Sequence, residues 1–127
     1  MRYLLDTNIL LWWLEDDQKL KSSIRAEIQD QRNQIFISIV SGIEISIKNR
    51  SGKLPLKTTL HKIFEATDFI VMDINLEHLF ELDKLALHSN HKDPFDRMLI
   101  AQAVAENCTL ITNDPKITKY KLSTISN

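Results

Sequence analysis

Four carboxylates stand out for where they fall relative to the short apolar runs of the chain. Asp6 directly follows Arg2-Tyr3-Leu4-Leu5, Glu44 comes shortly after Ile35-Phe36-Ile37-Ser38, and Asp114 follows Thr109-Leu110-Ile111-Thr112. Asp96 lies just inside a helix opened by Asp93-Pro94, which reads as an N-cap followed by proline in the first turn. Gathered in one low-dielectric crevice, four such groups repel one another and are driven toward protonation unless a cation neutralises them. Oxygen donors without cysteine or paired histidine suit Mg²⁺ or Mn²⁺ better than Zn²⁺. Ions of this kind commonly engage phosphate oxygens, so the chemistry indicated is phosphodiester hydrolysis.

Each carboxylate also has a purely structural reading. Ser41-Gly42-Ile43-Glu44 fits the S-x-x-E capping box, in which Glu44 would only satisfy backbone donors at a helix start. Asp6 suits the cap of the helix that follows it, Asp96 suits a first-turn dipole role, and Asp114-Pro115 is a common turn dipeptide. One residue alone decides nothing; their joint placement at strand ends carries the information.

The elements that must position them follow from periodicity. Short runs rich in aliphatic and β-branched residues predict strands over 2–5, 35–38, 69–72, 109–112 and 124–126. Between them, helical spacing predicts helices over 8–15, 22–32, 41–50, 58–66, 76–88 and 94–106. This alternation implies an α/β fold with a short, mainly parallel sheet, whose carboxyl edge is the usual ligand crevice. Asp6, Ser38, Thr112 and Asp114 all fall at that edge, and Asp96 shares a helix face with Leu99, Ile100 and Ala103 that points it inward. Leu76, Leu79, Phe80 and Leu87 make one apolar stripe, and Met98 to Ala105 is apolar nearly all round, as in a buried helix. Gly52 and Asn107 are expected to stop the helices before them.

Composition narrows the class. The 127 residues, 43% of them hydrophobic, suit one domain with a proper core, taken as 1–127. No apolar run approaches the roughly 18 residues of a membrane span, and Met1-Arg2-Tyr3-Leu4-Leu5-Asp6 reaches a carboxylate too soon for a signal peptide. A cytoplasmic protein with no membrane partner is expected. Cys108, the single cysteine, reads as a core thiol. A net charge of -1 offers no general attraction to nucleic acid, so a polyanion must be held locally. Lys48, Arg50, Lys53 and Lys57, and again Lys116, Lys119 and Lys121, form basic patches that suit either a solvated face or phosphate contact. His88 and His91 read as surface or substrate-contacting residues, and Trp12 and Trp13 as core or interface.

Taken together, Leu4-Leu5-Asp6-Thr7-Asn8, Ser38 to Ile45, His91 to Ala103 and Leu110 to Pro115 resemble, in order and spacing, the PIN-domain nucleases. The likeness is nearest to the toxins of VapBC type II toxin–antitoxin systems and covers essentially the whole chain. It implies a three-layer α/β/α PIN fold, Mg²⁺- or Mn²⁺-dependent cleavage of an RNA substrate such as tRNA or rRNA, a homodimer, and a cognate VapB-like antitoxin that inserts into the active-site groove. Matched position by position, it makes Asp6, Glu44 and Asp96 the acidic triad and Asp114 a fourth acidic member, all catalytic and metal-binding. It casts Thr7, Asn8, Ser41 and Thr112 as residues that orient the carboxylates, and Arg97 as a contact to substrate or antitoxin. Ile43 stands where related sequences often carry tryptophan, and Asn107 where they carry glycine; neither change removes a ligand. A PIN nuclease of RNA processing outside a toxin system and a non-catalytic PIN scaffold are the rival readings. A phospho-acceptor module fits poorly, since Asp6-Thr7-Asn8 lacks the acidic pair such a module needs.

Overall fold

The structure, a computed structural model, describes residues 1–65, 67–88, 93–120 and 122–127. Along the chain it places β1 (Arg2–Leu5), α1 (Thr7–Leu14), α2 (Ser22–Gln29), β2 (Gln34–Ser38), α3 (Ile39–Arg50), α4 (Leu60–Glu65) and β3 (Ile70–Met72). There follow α5 (Leu76–Lys84), α6 (Pro94–Ala105), β4 (Thr109–Thr112), a 3-10 turn (Pro115–Lys119) and β5 (Thr124–Ser126). The strands form one sheet in the order β3-β2-β1-β4-β5, and each of the four pairings is parallel.

Side chains alternate across the sheet and divide the core in two. Tyr3, Leu5, Ile35, Ile37 and Ile111 face one way, against Ile9, Leu10 and Leu11 of α1 and Ile24 and Ile28 of α2. Leu4, Phe36, Met72 and Leu110 face the other, against Leu99, Ile100 and Ala103 of α6. Strands buried on both faces must be apolar nearly throughout, which is why these runs are continuous rather than alternating. The outcome is the expected three-layer α/β/α arrangement. Each fully buried leucine or isoleucine contributes about 1.5–3 kcal/mol by leaving water.

Several boundaries shift for local reasons. Helix α2 stops at Gln29 instead of residue 32, because the Asp30 side chain accepts the Arg32 N–H at 2.9 Å and bends the chain away. Helix α3 starts two residues early, since the Ser38 hydroxyl accepts the Val40 N–H at 2.9 Å and serves as its N-cap. Helix α6 ends as expected at a left-handed Asn107 (φ 53°), with Cys108 N–H donating to Ala103 O and Asn107 N–H to Val104 O in a Schellman arrangement. Gly52 is also left-handed (φ 78°).

Helix α5 departs more. It ends at Lys84, and Leu76, Leu79 and Phe80 are exposed, as is Leu87 beyond its end (83%). The side packed on α6 is instead the one carrying His78, whose ring closes a capping box with Asn75 and pairs with Glu106. That polar anchorage turns the apolar stripe outward.

Candidate active site

The strand order makes β1 the switch point: the chain runs outward through β2 and β3 on one side, then returns to place β4 on the other. At such a point the loops leaving neighbouring strands part and open a crevice at the carboxyl edge. Asp6 leaves β1 there, its N–H still donating to Ile111 O of β4 at 2.9 Å. The crevice is a cleft of ≈ 180 Å³ lined by Asp6, Thr7, Asn8, Glu44, Lys48, Asp93, Asp96 and Asp114. All four carboxylates expected from the sequence therefore line one cleft.

Asp6 is almost completely buried and held at both oxygens. Oδ1 accepts the Thr7 N–H at 2.6 Å, and Oδ2 accepts the Thr112 hydroxyl at 2.6 Å. It caps α1 as well as lining the cleft, so the structural reading and the site reading hold together. Burial, above all, pushes its carboxyl above the usual range; the two hydrogen bonds oppose this, and the charges of Glu44 and Asp114 reinforce it.

Glu44 arrives from the second turn of α3. Because Ser38 is the cap, the capping-box reading of Ser41 and Glu44 does not describe this helix. Ser41 lies inside α3 and is completely buried, its hydroxyl 2.9 Å from that of Thr7. This contact ties α3 to the start of α1. Glu44 is 6% exposed; its Oε2 meets Lys48 Nζ at 2.5 Å, while its Oε1 is buried without a hydrogen-bond partner among the described residues.

Asp96 enters from the first turn of α6, whose N-cap Asp93 accepts the N–H groups of Phe95 and Asp96. Burial first, then the charges of Asp6, Asp93, Glu44 and Asp114, pushes its carboxyl up to about 8. Asp114 caps the 3-10 turn by accepting the Lys116 N–H, and its own N–H donates to Thr112 Oγ1 at 3.0 Å. Asn8 is exposed at the rim, where its amide donates to Asn113 Oδ1 at 3.4 Å.

Two residues of the cleft were not singled out by sequence. Asp93 read only as a cap, yet it adds a fifth carboxylate. Lys48 read as part of a basic surface patch, yet its ammonium lies inside the acidic cleft; the i,i+4 spacing from Glu44 was the available signal. The bond to Glu44, foremost, together with the charges of Glu44, Asp93 and Asp96, holds that ammonium in its charged form. Arg97 is not among the residues lining the cleft. Its guanidinium donates to Ala86 O, Leu85 O and the Tyr120 hydroxyl, which clasps the chain beyond α5. His88 packs edge-on against Tyr120, and His91 and Lys121 lie outside the described residues. Cys108 is buried, and Trp12 and Trp13 pack against the core.

Among the described residues, no three histidine, cysteine, aspartate or glutamate side chains already stand in a closed metal-ligating group. The donor set nonetheless fits a hard divalent cation. Among the described residues, five carboxylates and one ammonium line the cleft, every anionic donor is oxygen, and the buried Glu44 Oε1 has no hydrogen-bond partner.

A family model described as PIN domain matches residues 3–122. Comparison with curated proteins returned no match. Among solved structures, the chain is similar to one from VapBC2 of Rickettsia felis bound to a promoter DNA fragment, with TM-score 0.73, 21% identity, and 99% of this chain and 98% of that one covered. It is also similar to one from VapBC-1 of nontypeable Haemophilus influenzae, with TM-score 0.70, 20% identity and coverage of 99% and 98%. A chain from DNA-bound VapBC of Salmonella typhimurium aligns with TM-score 0.69 and 14% identity over 99% and 98%. These structures share the fold from end to end, and the match over residues 3–122 shows that the chain belongs to the PIN domain family.

Proposed function

We propose that the chain is a Mg²⁺- or Mn²⁺-dependent endoribonuclease, the toxin of a type II toxin–antitoxin pair, which cuts tRNA or rRNA and so inhibits translation. The observation that carries this reading is the convergence of Asp6, Glu44, Asp96 and Asp114 on one cleft at the switch point of the sheet. When bound, a divalent cation would supply Lewis acidity to the scissile phosphate and to an attacking water. The chain's part is to hold the donors still. Asp6 is fixed by Thr7 and Thr112, Glu44 presents an Oε1 that has no hydrogen-bond partner among the described residues, and Asp96 and Asp114 complete the acidic wall. Thr7 and Ser41 lock together the two helices that carry the first two ligands.

A VapB-like antitoxin belongs to the same reading. It is supported by the origin of the similar chains in VapBC complexes and by an open apolar groove of ≈ 390 Å³ on α3 and α4, lined by Ile39, Gly42, Ile43, Ser46, Ile47, Leu60 and Phe64. Exposed Leu76, Leu79 and Phe80 on α5 support a homodimer. No helix among the described residues is long and apolar enough to cross a membrane, and cytoplasmic residence is part of the proposal.

The test is cleavage of total cellular RNA by the purified chain and by Asp6→Ala, with Mg²⁺, with Mn²⁺ and with chelator, new ends being mapped by sequencing. Discrete metal-dependent cuts absent from the variant are expected. Identical patterns from both proteins, or no cutting by folded antitoxin-free wild type with either metal, would move the scaffold reading ahead. An adjacent reading frame for a small antitoxin separates a toxin from an RNA-processing nuclease.

A further inference from the structure

A cation of the chain's own already stands among the carboxylates. Lys48 lies one helical turn after Glu44 on α3, with Nζ 2.5 Å from Oε2. Among the described residues lining the cleft it is the one basic side chain, facing five acidic ones. The two partners differ in freedom. The Glu44 side chain is 7% exposed, whereas that of Lys48 is 40% exposed on a flexible four-carbon stem. Glu44 is also satisfied on one side only, its Oε1 being buried and unpartnered among the described residues. An anion fixed by burial, half satisfied by a cation free to leave, is an arrangement suited to exchange.

We propose that Lys48 is a tethered counter-ion, which holds the place of a divalent cation in the metal-free protein and gives up Glu44 when one binds. The inference rests on the reading of the cleft as a Mg²⁺ or Mn²⁺ site. A buried carboxylate stripped of compensating charge is unfavourable, so a cation beside Glu44 stabilises the folded, metal-free protein. Lys48 does so without losing translational freedom, because the chain already delivers it. Four further carboxylates line the cleft beside Glu44 among the described residues, so a doubly charged ion that several of them can ligate at once is favoured once its concentration suffices. Lys48 thereby sets the metal concentration at which the site fills.

The sign of a substitution separates this role from the nearest alternative, in which Lys48 merely orients Glu44 as a ligand. Removing an orienting partner weakens metal binding. Removing a competing counter-ion strengthens it for two reasons: the metal-free state loses its compensating charge, and the filled state loses repulsion between ammonium and dication.

The experiment is isothermal titration of Mn²⁺ into the purified chain and into Lys48→Met, Lys48→Gln and Lys48→Arg, with thermal unfolding of each in chelator and in Mn²⁺. Lys48→Met and Lys48→Gln are expected to bind Mn²⁺ about tenfold more tightly than wild type, while Lys48→Arg stays within about twofold. In chelator the two neutral variants should melt a few degrees lower, and Mn²⁺ should close that gap. Glutamine keeps a hydrogen-bond donor toward Glu44, so it reads the charge even if methionine does not fold. Unchanged or weaker Mn²⁺ binding by the folded neutral variants, with wild type binding, would overturn the counter-ion role and leave the cation site standing. No Mn²⁺ binding by wild type would overturn the cation site and this inference with it.

Discussion

Thr112 donates its hydroxyl to Asp6 across the seam between β4 and β1, Oγ1 to Oδ2 at 2.6 Å, and the same oxygen accepts the N–H of Asp114 at 3.0 Å. One side chain thus orients the most buried carboxylate of the cleft and places the backbone of another. Thr112→Val keeps the shape and removes the donor, leaving a buried carboxylate short of one bond. It is expected to cost about 1–3 kcal/mol in urea unfolding and to lower RNA cleavage by about 10–100-fold. Thr112→Ser should behave nearly as wild type in both assays.

Asp96→Asn is expected to abolish cleavage and yet stabilise the metal-free protein. Four neighbouring carboxylates and burial both oppose the charge of Asp96, so a neutral side chain of the same shape relieves repulsion in the folded state. Urea unfolding in chelator at pH 8 should show a higher midpoint for the variant, beside an RNA digest with no product. Wild-type cleavage by the folded variant would remove Asp96 from the site.

The pH dependence of stability follows from the same group. The Asp96 carboxyl titrates at about 8 in the folded chain and at about 4 when unfolded. Between those values the folded state holds more protons than the unfolded one, so stability falls as pH rises. The contribution is complete below pH about 4 and is lost as pH passes about 8. Asp6, also raised, acts in the same direction. Melting temperatures measured in chelator should therefore decline across this window, and the decline should flatten in Asp96→Asn and in saturating Mn²⁺. A stability that rises from pH 5 to pH 8 in chelator would contradict the assignment.

Ser38 and Ser41 offer a paired test of helix α3. Ser38→Ala removes the cap and also the hydroxyl donated to Gln102 Oε1, which leaves a buried amide oxygen short of a partner. A loss of about 1–3 kcal/mol is expected. Ser41→Ala leaves the cap intact and breaks only the contact to Thr7, so its stability loss should be smaller, about 0.5–1.5 kcal/mol. Its loss of cleavage should be the larger in proportion, because that contact ties together the helices carrying Asp6 and Glu44. Chemical denaturation and single-turnover cleavage on both variants would check the contrast.

Much of the fold was legible because its signals are short-range. Continuous apolar runs mark strands buried on both faces, Asp93-Pro94 marks a helix start, and Asn107 marks a left-handed stop; each needs only a few neighbouring residues. Asp6 and Asp114 could be named from strand ends, Glu44 from the helix that leaves β2 and Asp96 from the first turn of α6, and the fold brings all four to one cleft at the carboxyl edge of the sheet. The side on which a helix packs was less legible. The apolar stripe of α5 was visible, but its outward turn depends on His78 meeting Glu106, 28 positions away.

What only the tertiary structure decided are the relationships between distant residues. The order β3-β2-β1-β4-β5 brings Thr112 to Asp6 across 106 positions and makes a cleft of what were four separate carboxylates. It also gave Ser38 the cap that Ser41 resembled, joined Arg97 to the chain beyond α5, and drew Lys48 from a basic patch into the acidic cleft. Residue type and spacing determine which groups are available and which element carries each, because propensity and periodicity act locally. Which of them touch, and what charge each then feels, is set by burial and strand order, and these exist only once the whole chain has closed around its core.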